Sequence, residues 1–167
     1  MAIKEARKME HRKVSRLLML AGVIAVLGGG YLFFVDAPMA ALRYRELMPE
    51  YAYLFIPALV FLWVIGLIYL AAMADYFRVC RRIGQDRSFC PENDRSLSRI
   101  ARLLIGAAAI WLLGIPLGLL LGLGIGVWTA VFALAAAASA AMGMLALGLS
   151  RLLKRATEMK EENDLTV

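Results

Sequence analysis

The chain has 167 residues, of which 62% are apolar and only 19% charged, with a formal net charge of +6. Soluble proteins are roughly 45–50% apolar and about 25% charged, and so little polar surface cannot enclose a soluble core of this size. The charges also gather at four places with long uncharged stretches between them, which excludes an ordinary soluble domain and points to an integral membrane protein.

The chain opens with a basic head, residues 1–16, carrying Lys4, Arg7, Lys8, Arg12, Lys13 and Arg16 together with His11, the single histidine. An uncharged run of 19 residues follows, Leu17 to Val35. It is too long for an ordinary signal-peptide core and lacks a small-x-small cleavage site before Asp36, so it reads as a retained span. Residues 36–53 form a loop with Arg43 and Arg45 set against Asp36, Glu46 and Glu50. A second uncharged run, Leu54 to Ala74, has 21 residues. Helices of this length are roughly 30 Å long, the thickness of the hydrocarbon core.

The segment between the second and third spans contains GQDRSFCPENDRSLSRIA, residues 84–101. The second helix should run past the membrane through DYFRVCRRI and stop at Gly84. Pro91 suits the first turn of a new helix, with Cys90 or Ser88 near its cap. Glu92 and Asp94 fall in that first turn, where the helix dipole favours acids, and Leu97, Ile100, Leu103 and Leu104 follow at helical spacing. The spacing predicts a helix–loop–helix lying outside the membrane.

Leu103 to Leu149 is 47 residues without a charge, so it must fold back once. The glycines of GLGIGVW, residues 122–128, make a turn cheap there, which ends the third span near Leu121 and starts the fourth near Gly126. Only helices and closed barrels satisfy the backbone in hydrocarbon, and runs this long are not barrel strands. The expected architecture is therefore all-α: an integral membrane four-helix bundle with spans near 17–35, 54–74, 103–121 and 126–149. A tail, residues 151–167, completes the chain.

Of the 19 Lys and Arg residues, 17 lie in the head, the 75–102 segment and the tail. The positive-inside rule puts these on the cytoplasmic side, giving an N-in, C-in topology at a bacterial cytoplasmic membrane. The same rule accounts for the excess basic charge, so direct nucleic-acid binding is not expected. The basic termini would also meet anionic lipid heads.

Gly114, Gly118, Gly122 and Gly126 recur every four residues, as do Ala133, Ala137 and Ala141, and Ala21, Ala25 and Gly29. Such spacing lets helix backbones approach closely. It serves packing within the bundle or, in a second reading, a homodimer. Pro116 should kink the third helix. Trp63 and Trp111, far from the span ends, read as bundle fillers.

The chemistry of catalysis is thin. There is no intramembrane histidine for haem, no His-Glu-x-x-His and no Gly-x-Ser-x-Gly. Cys80 and Cys90 lack a second pair to complete a zinc site and read as small semi-buried fillers. No enzyme, cofactor or metal is expected. No span carries an ionisable residue in its interior, Asp36 and Asp75 falling at span ends, so a small transporter or an accessory subunit of one is the second functional reading.

Two spaced segments, RIGQDRSFCPENDRSLSRIARLL and the closing KEENDLTV, resemble the signature of a bacterial membrane protein family catalogued as domain of unknown function 2975. The matching positions are Gly84, Phe89, Glu92, Asn93, Leu97 and Ile100, then Glu162, Asn163, Asp164, Leu165 and Thr166, while Cys90 stands where serine is common. Members of that family are often encoded beside a small helix-turn-helix regulator. The resemblance therefore implies a non-enzymatic membrane partner of a cytoplasmic DNA-binding protein. The loop and the tail residues would form its partner-binding surface.

Overall fold

The computed structural model describes the backbone of residues 2–85 and 90–165, and the side chains of residues 13–85 and 90–159. These residues are helical almost throughout and contain no strand. The elements are α1 (Ala2–Tyr31), a π-helical turn (Leu32–Asp36), α2 (Ala37–Leu47), a 3-10 turn (Pro49–Leu54), α3 (Phe55–Gly84), α4 (Pro91–Leu120) and α5 (Val127–Leu165). Four helical stretches are long and apolar enough to cross a membrane: Lys13–Leu47, Pro49–Gly84, Pro91–Leu120 and Val127–Met159.

The first stretch corrects the expected loop over residues 36–53. The helix does not stop at Val35 but continues to Leu47. Pro38 lacks an N–H and its ring crowds the carbonyl four residues back. The π turn absorbs this: the Ala37 N–H bonds to the Leu32 carbonyl, and Pro38 falls in the first turn of α2. The helix ends only at Met48, which leaves helical geometry (φ −133°, ψ 75°) just before Pro49. α1 begins at Ala2 within the head, and α5 runs on to Leu165 within the tail.

The α4–α5 turn lies where the glycines place it. Gly122 adopts φ +83°, the left-handed conformation that a Cβ disfavours. Leu123 N–H bonds to Gly118 O at 3.0 Å and Gly122 N–H to Leu119 O at 3.1 Å, the paired bonds of a Schellman stop. Gly122 is thus a chain-reversal residue and not a member of the packing ridge. At the other end of α4, Cys90 is extended (φ −142°, ψ 146°) and Pro91 begins the helix, as its fixed φ favours. α4 passes through Pro116 without a break.

Helices pack as neighbours in the order α1, α3, α4, α5, and α1 approaches neither α4 nor α5 closely. Only 6% of the most apolar window of the first stretch is buried, against 33% for α4, so α1 is the outlying helix. The core is centred on Ile65, Trp111 and Ala136, with Phe61 and Phe132 against them. Phe61 stacks on Phe132 at 5.4 Å, and Trp111 meets Phe132 edge-on at 4.9 Å. Gly114 makes this possible: a Cβ there would lie 2.7 Å from Phe132 and 2.8 Å from Phe61. Gly118 similarly receives the Trp128 ring. These two positions of the ridge are filled from within the chain.

Two packing expectations are corrected. Ala133, Ala137 and Ala141 are exposed. The buried stripe of α5 runs instead through Ala136, Ser139, Gly143, Ala146 and Ser150, with Phe132 half-buried at its start. Each step along a helix turns the side chain by about 100°, so positions one residue apart face different neighbours. Trp63 is 44% exposed, whereas Trp111 is buried at 6%. Phe61, Ile65 and Tyr69 take the inner face of α3, and Trp63, two residues on from Phe61, points away. In α1 the small residue under pressure is Gly22, whose Cβ would meet the Tyr76 ring at 2.7 Å, while Ala21 is exposed.

Candidate functional site

One end of the helix array concentrates the polar contacts. Ser15 Oγ donates to the Cys80 carbonyl at 2.7 Å, which pins α1 to the last turns of α3. Gly84 closes α3 beside it, and a Cβ on Gly84 would come 2.7 Å from Ser15 Oγ. Gly84 thus stops the helix where expected, yet its φ is not positive, so the close approach of Ser15 is the reason glycine suits the position.

Arg82 ties α3 to the start of α4. Its Nη1 donates to the Glu92 carbonyl at 3.1 Å, to Asn93 Oδ1 at 3.3 Å and to Ser96 Oγ at 3.0 Å. Asn93 is 1% exposed, so it is part of the seam between helices rather than an outward-facing group. Glu92 is exposed and Leu97 half-buried. Asp94 accepts a hydrogen bond from Ser150 Oγ, and Ser150 also meets Ser98 Oγ at 2.8 Å, which binds α4 to α5. The Glu-Asn-Asp segment therefore divides by face: Glu92 outward, Asn93 toward α3, Asp94 toward α5.

Asp75 is the group that the sequence reading undervalued. It is 3% exposed, and its carboxylate pairs with Arg78 and, at 3.7 Å, with Arg99. A carboxylate this deep is costly unless paired. The signal in the sequence was an acid at the end of an apolar run with arginine three residues on, the spacing that meets along a helix.

Deeper in the array a second polar group joins three helices. Trp111 Nε1 donates to Tyr69 Oη at 3.0 Å, Ser139 Oγ donates to Ala135 O at 2.7 Å, and Tyr69 and Ser139 hydroxyls meet at 2.5 Å. Since the Ser139 proton is committed to Ala135, the Tyr69 hydroxyl is the donor between them. At the opposite end Tyr53 donates to the Leu121 carbonyl at 2.5 Å.

The tail motif, as far as Leu165, lies along the far end of α5. α5 continues unbroken to Leu165, so Glu162 stands 12 residues beyond Ser150, about 18 Å along a helix at 1.5 Å per residue. Glu162, Asn163, Asp164 and Leu165 ride on that helical extension, and their side chains lie outside the described residues, as do Phe89 and Thr166 entirely. No cluster of three or more His, Cys, Asp or Glu residues able to hold a metal occurs among the described residues. Cys80 and Cys90 are both buried and free.

Long apolar helices with polar side chains confined to helix ends and to interhelical hydrogen bonds define a multi-pass α-helical membrane protein. The chain belongs to the family described as "Protein of unknown function (DUF2975)", whose model matches residues 39–167. It is 28% identical over 132 residues to the "Uncharacterized membrane protein YoaS" of Bacillus subtilis (strain 168), an alignment covering 78% of this chain and 82% of that one. No solved structure matches the chain.

Proposed function

We propose that this protein is a non-enzymatic docking platform in the bacterial cytoplasmic membrane, with both termini inside, that holds a small helix-turn-helix regulator. The observation that carries the reading is the shape of the polar end. Contacts from Ser15 to Cys80, Arg82 to Ser96 and Ser98 to Ser150 gather the ends of α1, α3, α4 and α5 at one end. From there α1 extends a further 13 residues and α5 a further 15, each about 20 Å of helix outside the apolar span. The head, the 75–102 segment and the tail carry 17 of the 19 Lys and Arg residues, which supports a cytoplasmic position for this end by the positive-inside rule. A locked base bearing two helical arms is suited to holding a soluble partner. Glu92 on the base and Glu162 and Asp164 on the arm supply acidic groups that complement a basic, DNA-binding surface.

The choice of a helix-turn-helix partner rests on the frequent pairing of such regulators with members of the family that the sequence motifs resemble. Transport draws on one observation, the buried Asp75, but that carboxylate is already held by Arg78 and Arg99.

The test is crosslinking in cells followed by purification of the full chain. Truncation after Lys160 and Glu92→Ala are compared with wild type. Asn93 is left intact because it belongs to the α3–α4 seam. A helix-turn-helix protein captured by wild type and lost from the inserted, thermally unaltered variants is the expected result. Equal capture by all three forms, or no DNA-binding protein among the products, overturns the reading.

A further inference from the structure

Because α1 leans on α3 alone, the array does not close, and a cavity of about 430 Å³ remains between α1 and α3, lined also by Ile100 and Leu104 of α4 and by the exposed Met142 of α5. Its size falls within the roughly 300–1,000 Å³ of ligand clefts. Its walls are apolar, from Gly29 and Gly30 on α1 and Phe33 on the π turn to Gly66 on α3, Leu104 on α4 and Met142 on α5. The two hydroxyls that reach it are engaged elsewhere, Tyr69 with Ser139 and Trp111, and Tyr76 with the Leu18 carbonyl at 2.9 Å. The walls therefore ask for an apolar occupant, since a polar group placed here would lose its hydration without gaining a partner.

The glycines of α1 fall into two kinds. At Gly22 a Cβ would collide with the Tyr76 and Phe77 rings, so close packing requires glycine. At Gly28, Gly29 and Gly30 a Cβ would meet nothing within 4 Å. Three consecutive glycines weaken a helix, and packing here gains nothing from them. At Gly29 and Gly30 their effect is to keep the cavity wide. The π turn that follows places Phe33 and Phe34 on its wall, and such turns recur at functional sites.

The polar end of the cavity is marked by Tyr76 and Ile100. Directly beside these in the chain lie Asp75 and Arg99, joined across α3 and α4, with Arg78 on the same carboxylate. Two arginines around one aspartate leave a net charge of +1, and the Arg78 and Arg99 side chains are 50% and 62% exposed. A net cationic group whose residues adjoin the cavity's lining residues in the chain, next to an apolar cavity in a membrane protein, matches one amphipathic molecule present in the surroundings. We propose that the cavity holds an acyl chain of an anionic bilayer phospholipid, with its phosphate at Arg78 and Arg99. The bound chain completes the packing of α1, which its own contacts leave open.

The test uses the full-length protein, purified in mild detergent, stripped of lipid and titrated with dioleoyl phosphatidylglycerol under native mass spectrometry. Wild type should bind one molecule tightly, and dioleoyl phosphatidylcholine more weakly. Gly29→Leu/Gly30→Leu should weaken phosphatidylglycerol binding roughly tenfold or more, because leucine side chains occupy the volume that the acyl chain would fill. Ala25→Leu, on a second part of the same wall, should act in the same direction, which guards against a folding defect in the double variant. Gly28→Leu has equal freedom for a side chain but does not line the cavity, so it should bind as wild type does. Retention of lipid by either cavity-filling variant, equal binding of the two phospholipids, or equal binding of oleate overturns the proposal.

Discussion

Gly114→Ala and Gly28→Ala make the same chemical change in two helices, yet the structure predicts opposite signs. At Gly114 the new Cβ would lie 2.7 Å and 2.8 Å from the Phe132 and Phe61 rings. Carbon atoms prefer roughly 3.5–4.0 Å, so each ring must retreat by about 1 Å. Neither can do so freely, because Phe61 stacks on Phe132 at 5.4 Å and both abut Trp111, at 5.6 Å and 4.9 Å. Overpacking of this kind costs about 1–3 kcal/mol, partly offset by up to about 1 kcal/mol of helix propensity. The expected net loss is about 1–2 kcal/mol. Gly28→Ala meets nothing within 4 Å and keeps only the propensity gain, roughly 0.5–1 kcal/mol. The assay follows from the cysteines. Cys80 and Cys90 are 1% and 7% exposed, so a thiol-reactive fluorophore reports unfolding in detergent. For a chain of this length about 2–4 °C accompanies each kcal/mol, so Gly114→Ala should melt roughly 2–8 °C below wild type and Gly28→Ala slightly above it. A Gly114→Ala protein as stable as Gly28→Ala would refute the aromatic packing around α4.

Arg82→Met should loosen the α3–α4 seam by about 2–3 kcal/mol, since three acceptors share its guanidinium. Native-state labelling of Cys90 should then accelerate, and unchanged labelling would deny Arg82 that role. Tyr69→Phe removes the link between Trp111 and Ser139 and should lower stability by about 1 kcal/mol, in the range of interhelical hydrogen bonds in membranes; no shift in the thiol-reporter melt would argue against the Tyr69 network. For topology, single cysteines at Arg45 and Arg95, both exposed, are compared in a background lacking Cys80 and Cys90. An impermeant reagent on intact cells should label position 45 and not position 95, and the reverse pattern would invert the orientation.

The features legible in the sequence were those set by neighbouring residues along one chain. Span length follows from uncharged runs, the start of α4 from Pro91 after an extended Cys90, and its end from glycines before a reversal at Gly122. Each is a local matter of hydration or backbone freedom, and the start and end of α4 appear within a residue or two of their expected places. The helical path through residues 36–47 was missed because Asp36 and Pro38 look like a break. The π turn that carries the helix past them leaves no mark in the composition.

The azimuth of each helix was decided by tertiary structure alone. In lipid an apolar helix has no polar face to betray its inner side, so Ala133 and Ala136, or Trp63 and Trp111, are equivalent until a neighbour selects one. The same holds for the polar end. Asn93 and Asp94 are adjacent in the chain, but a turn of about 100° sends one to Arg82 and the other to Ser150. The sequence determines that this protein is built of long apolar helices, where α4 begins and where the chain reverses between α4 and α5. Only the packing of α1 against α3 alone decides that a chamber stays open beside them, because a cavity is a property of the space between helices and of no single stretch of chain.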